Sequence, residues 1–241
     1  MTQVADPTGG WAKATEATAN ASKEAIQAGR DLGRFISGPV GEVVGMFWDH
    51  LKVIRFERQV RLAERVRLFL SNRGMNGPTR TVPLKVGLPL LDYATLEEDD
   101  NLQDIWATLL VNGGDADSGI EMRRAFVSVL AEMTALDVRN LAKIEQASPS
   151  DLREGSISVW TGNLPDEAVP VSRRDVNVYS RLPTLEVLTS LSNLERLGCV
   201  YSGDELGGLR GVSPIKIVGL TPFGRAFVQA CTHSPVNSSK A

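Results

Sequence analysis

Two runs near the carboxyl end decide how the chain is read: TLEVLTSLSNLERLGCVY at residues 184–201 and IKIVGLTPFGRAFV at residues 215–228. The first predicts a helix from Thr184 to Leu197, stopped by Gly198, and then a strand at Cys199-Val200-Tyr201. Gly203 to Gly211 reads as a flexible tip, after which Ile215-Lys216-Ile217-Val218 returns as a second strand. Thr221-Pro222 then opens a final helix through Phe223, Phe227 and Val228. The threonine side chain can accept from an early helical N–H, and proline suits the first turn, where its missing N–H costs nothing.

Upstream, Val138, Leu141 and Ile144 line one face of a helix expected from Asp137 to Gln146. Helix, helix, hairpin, helix is the grammar of a winged-helix module. Such modules often read DNA through their second helix, but here that helix carries Glu186 and Glu195 beside Arg196. An architectural or protein-interaction role fits this charge pattern better than a reader of DNA sequence. Residues 148–180 hold prolines, glycine and the strand-like Ile157-Ser158-Val159-Trp160, and are read as a loop-rich insertion.

The preceding body is helical. An amphipathic helix is expected from Glu121 to Met133 through Phe126, Val127 and Leu130. Thr95-Leu96-Glu97-Glu98-Asp99-Asp100 forms an acidic helix start, where carboxylates meet the positive end of the helix dipole. Leu102, Ile105, Trp106, Leu109 and Leu110 continue that helix, and Asn112-Gly113-Gly114 ends it. The acidic run also invites a metal reading, but adjacent carboxylates at a helix start point in different directions. Leu84 to Ala94 predicts a short apolar helix interrupted or begun near Pro89.

Trp48 to Asn72 predicts a long helix with Val53, Phe56, Val60, Ala63 and Leu70 at the centre of its apolar stripe, and Gly74 as its stop. Arg55, Arg58, Arg61 and Arg65 recur away from that stripe, with Glu57 and Glu64 in partial compensation. This is the clearest basic face of the chain. It reads first as a solvated face closed by local ion pairs, and as the alternative a face for an anionic ligand, phosphate or membrane. No interleaved aromatic residues offer a platform for stacking bases.

Residues 1–47 are rich in alanine and glycine. Small residues recur at every fourth position, including Gly29, Gly33, Ser37, Gly41 and Gly45, a spacing that lets another helix approach closely. The preferred reading takes some of these glycines as caps in a helix-loop-helix, with Pro39 opening the second helix. The polar composition of Ala12 to Gln27 leaves the ordering of the first segment open. The apolar stretch from Phe35 to Trp48 is interrupted by Glu42 and falls short of the ~20 residues of a membrane span.

A chain of 241 residues with 42% hydrophobic content can bury a core unaided. The expected fold is mainly α: a Gly/Ala-rich segment over 1–47, a helical domain over 48–120, and a winged-helix-like domain with a small β-hairpin over 121–241. The two cysteines, Cys199 and Cys231, are poor material for a disulfide framework and read as buried thiols in a reducing compartment. With no secretory pattern at the amino terminus, a cytoplasmic protein is expected, with the inner-membrane surface as a peripheral location.

Only His50 and His233 supply imidazoles, neither with metal-ligand spacing. Neither a nucleophile elbow nor a phosphate-binding glycine loop is present, so no catalytic residue, metal or cofactor is expected. A net charge of −3 argues against wholesale coating of nucleic acid.

Pro89-Leu90-Leu91, Leu96-Glu97-Glu98-Asp99 and Leu102-Gln103-Asp104-Ile105-Trp106-Ala107-Thr108-Leu109-Leu110 together resemble the central signature of the abortive-infection alpha family. Leu194-Glu195-Arg196-Leu197-Gly198 and Leu220-Thr221-Pro222-Phe223-Gly224-Arg225-Ala226-Phe227 are similar to that family's tail, and Gly38-Pro39-Val40 precedes the basic helix. The resemblance implies bacterial defence against bacteriophage and carries over no catalytic residues. The resulting expectation is a non-enzymatic effector or sensor that self-associates, meets a protein partner or engages an anionic membrane. The alternative is a nucleic-acid-binding regulator using the basic helix and Arg210.

Overall fold

The computed structural model describes residues 23, 24, 26–36, 56–148, 158–171, 181–202 and 215–232. The chain divides into two compact units, Met1–Gly119 and Ile120–Ala241. Among the described residues it is mainly helical, with a small antiparallel sheet in its carboxyl-terminal region.

The first unit is built on α1 (Phe56–Asn72), α2 (Leu84–Leu96) and α3 (Asp100–Gly114), followed by a short 3-10 turn at Ala116–Ser118. Helix α1 buries Leu62, Ala63, Val66, Phe69 and Leu70, and also the polar Gln59. The inward stripe is thus rotated slightly from the expected one, leaving Val60 half-buried. Leu62, Val66 and Phe69 supply the apolar area that the rotation gains. Val53 lies outside the described residues.

Helix α3 is the spine. Trp106, Leu109 and Leu110 are each at most 1% exposed, and burying side chains of this size is worth about 1.5–3 kcal/mol apiece. The residues Asn112-Gly113-Gly114 close it, and the chain reuses its exposed carbonyls. Arg80 donates from Nε to the Gly113 carbonyl at 2.7 Å, and the amides of Thr79 and Arg80 both donate to Gly114. Cations and donors at this end complement the negative pole of the helix.

Part of the amino-terminal segment belongs to this unit. Residues 26–33 are helical, and Ala28, Leu32 and Phe35 are at most 1% exposed. The Val82 amide donates to the Phe35 carbonyl at 2.7 Å, within an isolated parallel bridge between Ile36 and Val82. A Cβ at Gly114 would lie 2.5 Å from the Phe35 ring, so the absence of a side chain there makes room for that ring.

The second unit contains α4 (Arg124–Ala131), α5 (Ala135–Ala147), β1 (Ser158–Trp160), β2 (Val169–Val171), α6 (Leu185–Arg196), β3 (Val200–Ser202), β4 (Ile217–Leu220) and α7 (Pro222–Cys231). Helices, paired strands and final helix follow the predicted order over α6, β3, β4 and α7. One expectation needs correcting. The expected hairpin is present as β3 and β4, but among the described residues the sheet extends beyond it to four strands in the order β2-β1-β4-β3, every neighbour antiparallel.

Thus the insertion read as loop-rich contributes β1 and β2. Val159 pairs with Val218 and Trp160 with Ile217, which makes β4 an interior strand, and all of its residues are buried. Trp160 is buried and Thr161 fixes the strand end, its hydroxyl donating to the Ile215 and Lys216 carbonyls. Three-residue strands are too short to show an alternating pattern, so their pairing was hidden in the sequence.

The caps behave as their residue types require. Asp99 accepts from the Leu102 amide at the start of α3, and Thr221 accepts from the Gly224 amide at the start of α7. Thr134 and Asp137 form a reciprocal capping box on α5. Gly74 and Gly198 follow their helices with φ of 68° and 72°, a backbone conformation costly to any residue with a Cβ.

Candidate functional site

The arginine row of α1 meets a row of carboxylates carried by the start of α3. Arg58 pairs with Glu98 and also donates to the Leu96 carbonyl at 3.0 Å. Arg61 reaches Asp100 at 3.3 Å. Arg65 holds Asp100 at 2.6 Å and Asp104 at 2.5 Å, joining two carboxylates through one guanidinium.

Residue numbers rise together along the two rows, so α1 and α3 run in the same direction, with α2 between them in sequence. The offset is nearly constant: Arg61 to Asp100, Arg65 to Asp104 and Arg73 to Asn112 are each separated by 39 residues. Arg73 closes the far end, giving 2.5 Å to the Asn112 amide oxygen and 3.4 Å to Asp115.

The middle of this ladder is incompletely satisfied. Arg61 Nε and Gln103 Oε1 are buried atoms with no hydrogen-bond partner among the described residues. The arginine side chains of the row are 20–34% exposed and their carboxylate partners 50–76%. Carboxylates therefore form the outer layer, with guanidiniums beneath. Pairs this open to water contribute only about 0–1 kcal/mol each.

Of the residues singled out by sequence, Arg58, Arg61 and Arg65 are brought into one ladder, while Arg55 lies outside the described residues. Gly29 and Gly33 are buried in the first unit. Ser37, Gly41 and Gly45 lie outside the described residues, as do His50, His233 and Arg210. The acidic run is occupied by structural tasks. Glu97 accepts from the Glu98 and Asp99 amides, Asp99 caps α3, and Glu98 and Asp100 hold arginines. Among the described residues no group of three or more His, Cys, Asp or Glu could hold a metal ion.

Sequence reasoning assigned partial compensation of the arginines to Glu57 and Glu64 and missed Glu98, Asp100 and Asp104. A signal was available: the spacing of Arg61, Arg65 and Arg73 recurs in Asp100, Asp104 and Asn112. Reading it as pairing requires knowing that the helices are parallel neighbours.

The second unit has a different polar centre. Asp137, Asn140 and Ser190 are 2%, 0% and 4% exposed. Asn140 donates to Ser190 Oγ at 2.9 Å, while Asn193 on α6 donates to Asp137 at 3.1 Å and to the Glu132 carbonyl at 3.0 Å. These contacts fix α5 against α6. The outer surface of α6 presents Leu185, 78% exposed, with Glu186 and Glu195.

Cys199 is buried and Cys231 partly exposed, a small departure from the expectation that both are buried. Burial pushes the Cys199 thiol up to about 12. Although part of Cys231 reaches the surface, desolvation of its thiol raises it strongly, and nearby Cys199 adds to the shift. Such groups remain protonated and weakly nucleophilic near neutrality. No described helix is long and apolar enough to cross a membrane.

The family model described as abortive infection alpha matches residues 57–231. No curated protein and no solved structure matches the chain. The matched span includes the ladder, the α5–α6 joint and the Thr221-Pro222 cap. The chain belongs to the abortive-infection alpha family, which points to a role in abortive infection.

Proposed function

We propose, with membership of the abortive-infection alpha family as the premise, that this protein limits phage spread by arresting or killing the infected cell. It does so without catalysing a reaction, through self-association or through engagement of the anionic inner-membrane surface. The observation that carries the membrane reading is the row formed by Arg58, Arg61 and Arg65 on α1. Exposed Leu68 follows three residues after Arg65, and exposed Leu96 sits at the other end, where its carbonyl receives Arg58.

Guanidiniums can hold phosphate through paired N–H groups, and flanking leucines can enter the headgroup boundary. The α6 surface, with its exposed leucine and carboxylates, gives a nucleic-acid reading no comparable support. The winged-helix-like second unit serves in this proposal as an architectural or partner-facing module.

The test is phage infection of cells carrying the wild-type chain or the Arg58→Gln, Arg61→Gln, Arg65→Gln variant, with plaque counts and entry of a membrane-impermeant dye recorded together. Protection accompanied by dye entry before lysis, both lost in the variant, is expected. Protection without dye entry, or undiminished in the variant, refutes membrane engagement through this face.

A further inference from the structure

We infer that the acidic start of α3 is an internal substitute for lipid phosphate, covering the α1 arginines until an anionic membrane displaces it. This deepens the membrane reading above by naming how its surface is regulated. In the ladder, three arginines of α1 face Glu98, just ahead of α3, and Asp100 and Asp104 on it, so the row is electrically closed. The carboxylates are the more exposed partners throughout. They can rotate into water while the guanidiniums remain held by their helix.

Arg58 and Arg65 hold their carboxylates closely, and the contact is loosest at its centre. Arg61 makes its single ionic contact at 3.3 Å, and its buried Nε has no partner among the described residues. A phosphate offers more acceptor oxygens than one carboxylate and can engage adjacent guanidiniums in parallel. Exchange of solvent-exposed ion pairs costs little, whereas several arginines acting on one anionic surface add their contributions. Glu57 and Glu64, both exposed on α1, border the row and further weaken attraction while the cover is closed.

Exposed Leu68 and Leu96 favour a lipid surface over nucleic acid, since they add apolar contact at the headgroup boundary. Removing the covering charges should therefore switch the face on without any other trigger.

Co-sedimentation of the full chain with phosphatidylglycerol or phosphatidylcholine vesicles tests this, with duplex DNA titrated in parallel. The variant Glu98→Gln, Asp100→Asn, Asp104→Asn is expected to bind phosphatidylglycerol at least about tenfold more tightly than wild type, because each uncovered arginine adds about 1 kcal/mol near an anionic surface. The gain should fall with salt, be absent on phosphatidylcholine, and vanish when Arg58→Gln, Arg61→Gln and Arg65→Gln are added.

An unchanged affinity in the folded triple variant overturns the inference. A gain for DNA without a gain for phosphatidylglycerol also overturns it and assigns the face to nucleic acid. If the triple variant does not fold, Glu98→Gln alone touches only an exposed carboxylate, and a gain of about fivefold is expected from one uncovered charge. No gain there refutes the cover. Failure in this assay with dye entry intact would reject the cover alone, whereas vesicle binding without dye entry would reject the cellular role.

Discussion

The α1–α3 ladder and the α5–α6 joint both hold helices together with polar groups, yet they sit at opposite ends of the burial scale. The ladder's carboxylate side chains are 50–76% exposed, whereas Asp137, Asn140 and Ser190 are at most 4% exposed. In water, an ion pair replaces hydration with something nearly equivalent and can be exchanged. In the interior, a lost partner leaves a desolvated group with nothing to bond. The first arrangement suits an adjustable surface, and the second fixes one packing of two helices.

The largest effect should come from the tight approach that completes the second unit. A Cβ at Gly224 would lie 2.0 Å from the Cys199 carbonyl oxygen, and both ends of that contact are anchored, because Thr221 donates to the same carbonyl. Gly224→Ala is expected to lower unfolding free energy by about 3 kcal/mol, the upper part of the usual overpacking range. Chemical denaturation measures it. The contrasting change Gly74→Ala meets no atom within 4 Å and bears only the penalty of a positive φ, about 1 kcal/mol. Equal losses at the two sites would show that the close approach is absent.

Next, Asp137→Ala removes an acceptor used by the Thr134 amide, the Thr134 hydroxyl and the Asn193 amide group. Loss of about 2–3 kcal/mol is expected, combining a helix cap with hydrogen bonds to a buried carboxylate. The loss should be coupled to Asn193→Ala in a double-mutant cycle. Strict additivity would mean that the two helices are not joined through this carboxylate.

The contrast also explains what could be read in advance. Thr221-Pro222, Gly74, Gly198 and Asn112-Gly113-Gly114 announce helix ends because capping is local chemistry, visible within a few residues. The cores around Trp106 and Phe227 follow from periodicity in the same way. Ser158–Trp160 was legible as strand-like, but its partner β4 lies dozens of residues later, and Val169–Val171 is an edge strand held by β1 alone, too short to announce itself. The arginine row was legible as a charged face, but its closure by Glu98, Asp100 and Asp104 depends on two parallel helices sharing a register.

A pH-dependent effect, absent near neutrality, also belongs to the interior. Cys199 rises from 9.0 to about 12 through burial, so at high pH the unfolded chain releases its proton before the folded one does. The native state then binds more protons, and stability falls as pH increases. This contribution is complete below about pH 9 and is lost progressively toward pH 12. Melting temperatures of wild type and Cys199→Ala should diverge below that window and converge within it, and parallel curves would contradict the assigned burial. Native protein should also react slowly with a thiol reagent near neutrality, with reaction accelerated by denaturant.

The smallest stability effect should come from the ladder itself. Asp100 contacts both Arg61 and Arg65, but its side chain is 68% exposed, so Asp100→Asn should cost less than about 1 kcal/mol. Added salt should shrink even that difference between wild type and variant, because it screens exposed pairs much more than buried ones. A salt-independent loss above about 2 kcal/mol would place Asp100 in the same energetic class as Asp137. The carboxylate cover would then be part of the architecture and could not move aside for phosphate. A small stability change accompanied by a gain in vesicle binding is the combination that an exchangeable cover requires.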